Sequence, residues 1–156
     1  MIRIRLPETD DTVALGERLA TLLRPGDLII LTGDLGAGKT TFTRGIAAGL
    51  GVQGRVASLT FIIARVHPGP VPLVHVDAYR LTDLAEVDDL DLDSDLEESV
   101  TVVEWGEGLV EELSPNRLEI QIVRPRGKSE TGRYAEIRAV GPRWEDADLT
   151  SVTAPL

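Results

Sequence analysis

The chain has no cysteine, which excludes disulfides, iron–sulfur clusters, thiolate zinc sites and a cysteine nucleophile. No uninterrupted apolar run approaches the ~20 residues of a membrane span. The opening Met1-Ile2-Arg3-Ile4-Arg5-Leu6-Pro7 is broken by charge at once, unlike a secretory signal, so the expected location is the cytoplasm. Basic residues are also in deficit. Twenty-six acidic residues against sixteen basic ones give a net charge of −10, and such a chain repels bare nucleic acid. A role on nucleic acid would then require a local basic patch or a partner. Only two of the basic residues, Lys39 and Lys128, are lysines, so a lysine inside a glycine-rich turn stands out.

What is present fits one domain of 156 residues, with 1–149 as the folded unit and 150–156 as a frayed tail. Residues 2–6 alternate as a short edge strand that stops at Pro7. Thr9 or Asp10 can cap a helix over about 11–23, whose Val13, Leu15, Leu19, Leu22 and Leu23 share a face. Asp27 to Thr32 carries four consecutive apolar residues, the pattern of a strand buried on both faces. Lys39 to about Leu50 reads as a helix closed near Gly49 and Gly51. Phe61–Val66 and Leu73–Val76, joined by Pro68-Gly69-Pro70, read as an antiparallel hairpin. Val100–Glu104 is another buried strand, 110–113 a short helix, and Arg117–Val123 and Tyr134–Val140 two alternating strands. Because a G-x-x-x-x-G-K-[ST] loop at Gly33 to Thr40 lies between the buried strand and the helix that follows, the predicted fold class is α/β: a single P-loop NTPase domain with a mixed sheet, including antiparallel strands, flanked by helices.

The chemistry concentrates at Gly33-Asp34-Leu35-Gly36-Ala37-Gly38-Lys39-Thr40, which matches G-x-x-x-x-G-K-[ST] at each required position. Glycines let the backbone approach phosphate without a Cβ clash, and successive N–H groups then face the anion. The loop feeds a helix N-terminus, which favours negative charge. Lys39 would reach the β- and γ-phosphates, and the Thr40 hydroxyl would take a position on Mg²⁺. The ligand expected from these residues is Mg·ATP, with ADP as product.

P-loop enzymes also hold Mg²⁺ through an acidic residue at the end of a neighbouring strand. Two are on offer, Asp77 after Leu73-Val74-His75-Val76 and Glu104 after Val100-Thr101-Val102-Val103. One can hold the metal while the other polarises water; the pattern alone does not rank them. His75, Asp77 and Tyr79 would share one face of an extended segment, and Arg80 follows. Against this polar cluster stands the plainer reading of an exposed strand edge. Ser58-Leu59-Thr60-Phe61, some twenty residues beyond the P-loop, offers hydroxyls for a γ-phosphate switch or forms an ordinary loop.

Other features point away from function. Asp91, Asp93 and Asp95 have the spacing of a calcium loop, but the next residue is Leu96 instead of glycine and the twelfth position is Val102, so neither calcium nor zinc is expected. Residues 83–98, with nine acids in sixteen positions, read as a solvated surface, with a docking face for a basic partner as the alternative. Arg117, Arg124, Arg126, Lys128 and Arg133 can form a modest basic face. There is no Asn-Lys-x-Asp for guanine and no Leu-Ser-Gly-Gly of transporter ATPases.

The run Gly33 to Thr41, with Ser58-Leu59-Thr60-Phe61, His75-Val76-Asp77-Ala78-Tyr79-Arg80-Leu81 and Glu104-Trp105, resembles the TsaE (YjeE-type) family over most of residues 10–125. The P-loop alone is common to many families; its combination with His-x-Asp-x-Tyr-Arg and Glu-Trp is specific. The resemblance implies an ATPase that supports formation of N6-threonylcarbamoyladenosine at position 37 of ANN-decoding tRNAs, acting with a TsaB–TsaD pair. It implies Thr40 and Glu104 as Mg²⁺ ligands, Asp77 as needed for hydrolysis, Trp105 near the nucleotide and Ser58, Thr60 and Phe61 in the switch. Partners would hold the tRNA, in keeping with the acidic charge. Where the family usually has proline, this chain has Leu59, which leaves that loop freer. The alternatives are a small-molecule kinase of another P-loop family and a nucleotide-gated interaction module.

Overall fold

A computed structural model describes residues 2–33, 38–52, 64–77, 98–104, 116–123 and 133–145. Its centre is β2 (Leu28–Gly33). Leu28, Ile29, Ile30 and Leu31 are all buried, and β2 lies between two parallel neighbours, β5 (Val100–Glu104) and β6 (Arg117–Val123). β4 (Leu73–Asp77) extends this parallel block beyond β5. Antiparallel strands close both sides: β3 (Ala64–His67) on β4, then β7 (Arg133–Val140) on β6 and β1 (Ile2–Leu6) on β7. The seven-stranded order is β1-β7-β6-β2-β5-β4-β3, the expected mixed sheet. After β2 the chain builds one side of the sheet and then crosses to the other, so β2 is a point where the strand order reverses. Open α/β sheets bind ligands outside the carboxyl ends of strands at such a point.

α1 (Thr9–Ala20) and α2 (Lys39–Gly49) bury their apolar faces against one side of the sheet. Leu15, Leu19, Phe42 and Ile46 meet Ile29, Leu31, Val102, Leu118, Ile120 and Ile137 in one core. The helices cross closely because glycines line the contact. A Cβ on Gly16 would meet the Phe42 carbonyl at 2.5 Å, and one on Gly45 would run into the Val13 carbonyl. α2 is thereby seated on α1 backbone to backbone.

Several boundaries differ from the sequence reading. α1 begins at Thr9, two residues before the start expected at 11, because Glu8 and not Thr9 or Asp10 is the cap: Asp11 Oδ2 accepts the Glu8 N–H at 2.8 Å. It ends at Ala20, where the Leu22 and Leu23 N–H groups bond to the Leu19 and Ala20 carbonyls three residues back. That tight last turn keeps Leu23 buried, so the apolar periodicity outlasts the helix. The hairpin is confirmed over Ala64–His67 and Leu73–Asp77. Residues 61–63, the acidic stretch 83–97, the short helix at 110–113 and the tail lie outside the described residues.

A 3-10 turn at Pro142–Trp144, absent from the sequence reading, closes the amino end of the parallel block. Arg143 donates from Nε and Nη2 to Asp27 Oδ1 and Oδ2 at 3.1 Å each, and from Nη2 to the Leu22 carbonyl at 2.8 Å. Asp27 Oδ2 also accepts the Arg24 N–H at 2.8 Å, and Asn116 Oδ1 accepts the Arg143 N–H at 2.9 Å.

Candidate functional site

The carboxyl ends of β2, β5 and β4 lie side by side. Leu31 is in register with Glu104, and Glu104 with Asp77. Gly33 ends β2, and Gly38 caps α2 with φ of +114°, a left-handed backbone that favours glycine. Lys39 Nζ donates to the Gly33 carbonyl at 2.7 Å, so the ammonium spans the mouth of the loop from its far end to its near end. Lys39 is only 8% exposed, and its charge is held by hydrogen bonding instead of bulk water. Thr40 and Thr41 occupy the first turn of α2, half-buried, while Thr43 Oγ1 bonds back to the Lys39 carbonyl at 2.9 Å.

Glu104 is buried, and its Oε2 lies 2.7 Å from Nε2 of His75, which is fully buried. His75 therefore does not sit on an exposed strand edge. β4 is flanked by β3 and β5, and Leu73 and His75 point to the same side of the sheet as α1 and α2. The strand geometry thus brings His75, Glu104 and the backbone of Asp77 together beside the start of α2. Asp34, Leu35, Gly36, Ala37, Ser58, Thr60, Phe61, Tyr79, Arg80 and Trp105 lie outside the described residues.

The side chains described here that could meet a cation offer only oxygen: the Thr40 hydroxyl and the Glu104 carboxyl. Such a set suits Mg²⁺, which takes one or two carboxylates and completes its shell with substrate phosphates and water. Among the described residues no group of three His, Cys, Asp or Glu side chains is arranged to hold a metal.

One basic residue belongs here that the sequence reading placed elsewhere. Arg133 Cδ and Nη1 lie 3.9 and 4.0 Å from where a side chain on Gly38 would begin, opposite Thr12 Cγ2 at 3.8 Å. Arg117 and Arg133 do not form a common face: they sit at opposite ends of the β6–β7 pair, on opposite sides of the sheet. The signal was available in the alternation Arg133-x-Ala135-x-Ile137, which puts Arg133 on the helix-covered side.

A family model described as "Threonylcarbamoyl adenosine biosynthesis protein TsaE" matches residues 6–133. The chain belongs to the TsaE family. Relatives bearing the name tRNA threonylcarbamoyladenosine biosynthesis protein TsaE include one from Streptomyces coelicolor, 58% identical over 142 residues that span 87% of this chain and 95% of the relative. Another, from Bacillus subtilis, is 41% identical over 146 residues, 92% and 89% of the two chains. The crystal structure of Bacillus subtilis YdiB superposes with a TM-score of 0.73 at 37% identity, covering 92% of this chain and 88% of that one. Membership of the TsaE family places the chain in tRNA threonylcarbamoyladenosine biosynthesis. No described helix is long and apolar enough to cross a membrane.

Proposed function

We propose that this TsaE-family chain is a Mg²⁺-dependent ATPase whose hydrolysis supports formation of N6-threonylcarbamoyladenosine at position 37 of ANN-decoding tRNAs, in concert with a TsaB–TsaD pair in the cytoplasm. The observation that carries the reading is the convergence of Gly33, Gly38, Lys39 and Thr40 with Glu104 at the carboxyl ends of adjacent strands.

In this reading the backbone from Gly33 to Thr41 cradles the phosphates, and the α2 N-terminus faces them. Lys39 exchanges its bond to the Gly33 carbonyl for the β- and γ-phosphate oxygens. Thr40 and Glu104 hold Mg²⁺, which neutralises charge on the phosphate oxygens. Water attacks the γ-phosphorus and ADP and phosphate leave; Asp77 or Glu104 orients that water. Arg133, beside Gly38, adds a cation at the loop. Ser58, Thr60 and Phe61 form the γ-phosphate switch, Trp105 contacts the nucleotide, and Tyr79 and Arg80 complete the polar segment after Asp77. The net charge of −10 supports leaving the tRNA to the partners.

The test is product formed over many turnovers in a purified system of tRNA, TsaB–TsaD, the threonylcarbamoyl donor and ATP, with and without this protein. Product well beyond one equivalent only when the protein is present, and lost with Lys39→Ala, is the expected result. ATP binding with unchanged product would overturn the functional reading and send the search to small phosphate acceptors.

A further inference from the structure

His75 occupies a core position. Its register partner is Val102, its neighbour two residues earlier is Leu73, and both are fully buried. An aliphatic side chain would satisfy packing there without burying polar atoms. The imidazole instead leaves Nδ1 buried with no hydrogen-bond partner among the described residues. An unpaired buried polar atom costs stability, so the ring has to be explained by its other nitrogen. That nitrogen, Nε2, reaches diagonally to Glu104 Oε2 at 2.7 Å on the adjacent strand. Among the described residues it is the partner of that carboxylate.

The two nitrogens fix the tautomer. An ionised carboxylate only accepts, so Nε2 carries the hydrogen and Nδ1 is the bare acceptor. A hydrogen on Nδ1 would be a second buried donor with nothing to receive it. The contact is thus a donation from a rigid, fully buried ring to a longer, more flexible side chain. It commits one carboxylate oxygen and leaves the other for a cation.

We propose that His75 is a positioning residue: its Nε2–H orients the Glu104 carboxylate for the magnesium of bound Mg·ATP. The role rests on the nucleotide reading above. Groups that hydrogen-bond metal-ligating carboxylates typically account for 10–100-fold in metal affinity when removed.

The experiment measures Mn²⁺ binding to the ATP-bound protein by electron paramagnetic resonance, with nucleotide affinity in EDTA as the control. Wild type is compared with His75→Ala, His75→Gln and His75→Asn, each first shown to be folded by circular dichroism. A glutamine amide can present N–H where Nε2 lies, whereas the asparagine amide is one carbon short. His75→Ala and His75→Asn are expected to weaken Mn²⁺ binding by about 10–100-fold, with EDTA-phase nucleotide affinity within about twofold, and His75→Gln to recover most of the loss. In a Glu104→Gln background the effect of His75→Asn should vanish. If alanine does not fold, the glutamine–asparagine contrast carries the test. Equal Mn²⁺ affinity in wild type and folded His75→Asn would overturn the positioning role while leaving the ATPase reading intact. A wild-type protein that binds neither ATP nor Mn²⁺ with ATP would instead overturn the ATPase reading, and the positioning role with it.

Discussion

The two ends of the parallel strands use similar residues to opposite effect. At the amino end, Asp27 receives both arms of the Arg143 guanidinium and the Arg24 N–H, and Arg143 also bonds the Leu22 carbonyl. The Trp144 ring lies 4.1 Å from the guanidinium carbon. That carboxylate is surrounded by committed donors. At the carboxyl end, Glu104 has His75 as its partner among the described residues, and Lys39 turns to a backbone carbonyl. Buried charge is tolerated at both ends because each is hydrogen-bonded. The difference lies in the carboxylates: Asp27 is saturated and holds the chain together, whereas Glu104 makes one hydrogen bond among the described residues and keeps its second oxygen.

This contrast can be broken by substitution. The largest effect belongs to Glu104→Gln, which keeps shape and removes charge. Turnover should fall by about a hundredfold or more, the scale of losing a metal-holding or water-orienting carboxylate, while thermal stability changes little. A phosphate-release assay alongside a melting curve checks both halves; wild-type turnover would remove Glu104 from the site. Arg143→Ala should do the reverse. Leaving Asp27 buried and unpaired should cost about 3 kcal/mol of stability, read by urea unfolding, with turnover per folded molecule retained.

The smallest expected effect tests whether an unpaired polar atom outside both networks matters. Thr101 Oγ1 on β5 is buried without a hydrogen-bond partner among the described residues. Thr101→Val keeps the shape and removes the orphan, so stability should be unchanged or rise by up to about 1 kcal/mol. A clear loss in urea unfolding would show that the hydroxyl has a partner in solution.

Local signals in the sequence were enough for much of this. The apolar run Leu28–Leu31 marks the central strand because burial on both faces abolishes alternation, and the alternating pattern of Arg117–Val123 and Tyr134–Val140 marks strands with one covered face. The G-x-x-x-x-G-K-[ST] motif is legible because its glycines, lysine and threonine fall within eight residues. What escaped depends on distant partners. Nothing near Asp27 announces Arg143, 116 residues away. Arg133 looked like one of a basic group because Arg124, Arg126 and Lys128 precede it within ten residues, while strand parity carries it to Gly38. His75 and Glu104 were both singled out, but the bond between them depends on β4 and β5 being adjacent and in register.

The most direct test of the account is the calorimetric affinity of Mg·ATP for the wild-type protein and for Lys39→Ala. The account predicts binding to the wild type that weakens in the variant by roughly 1.5–3 kcal/mol, the worth of a charge-assisted hydrogen bond. Equal affinity in the two proteins would contradict the placement of the triphosphate at the carboxyl end of β2.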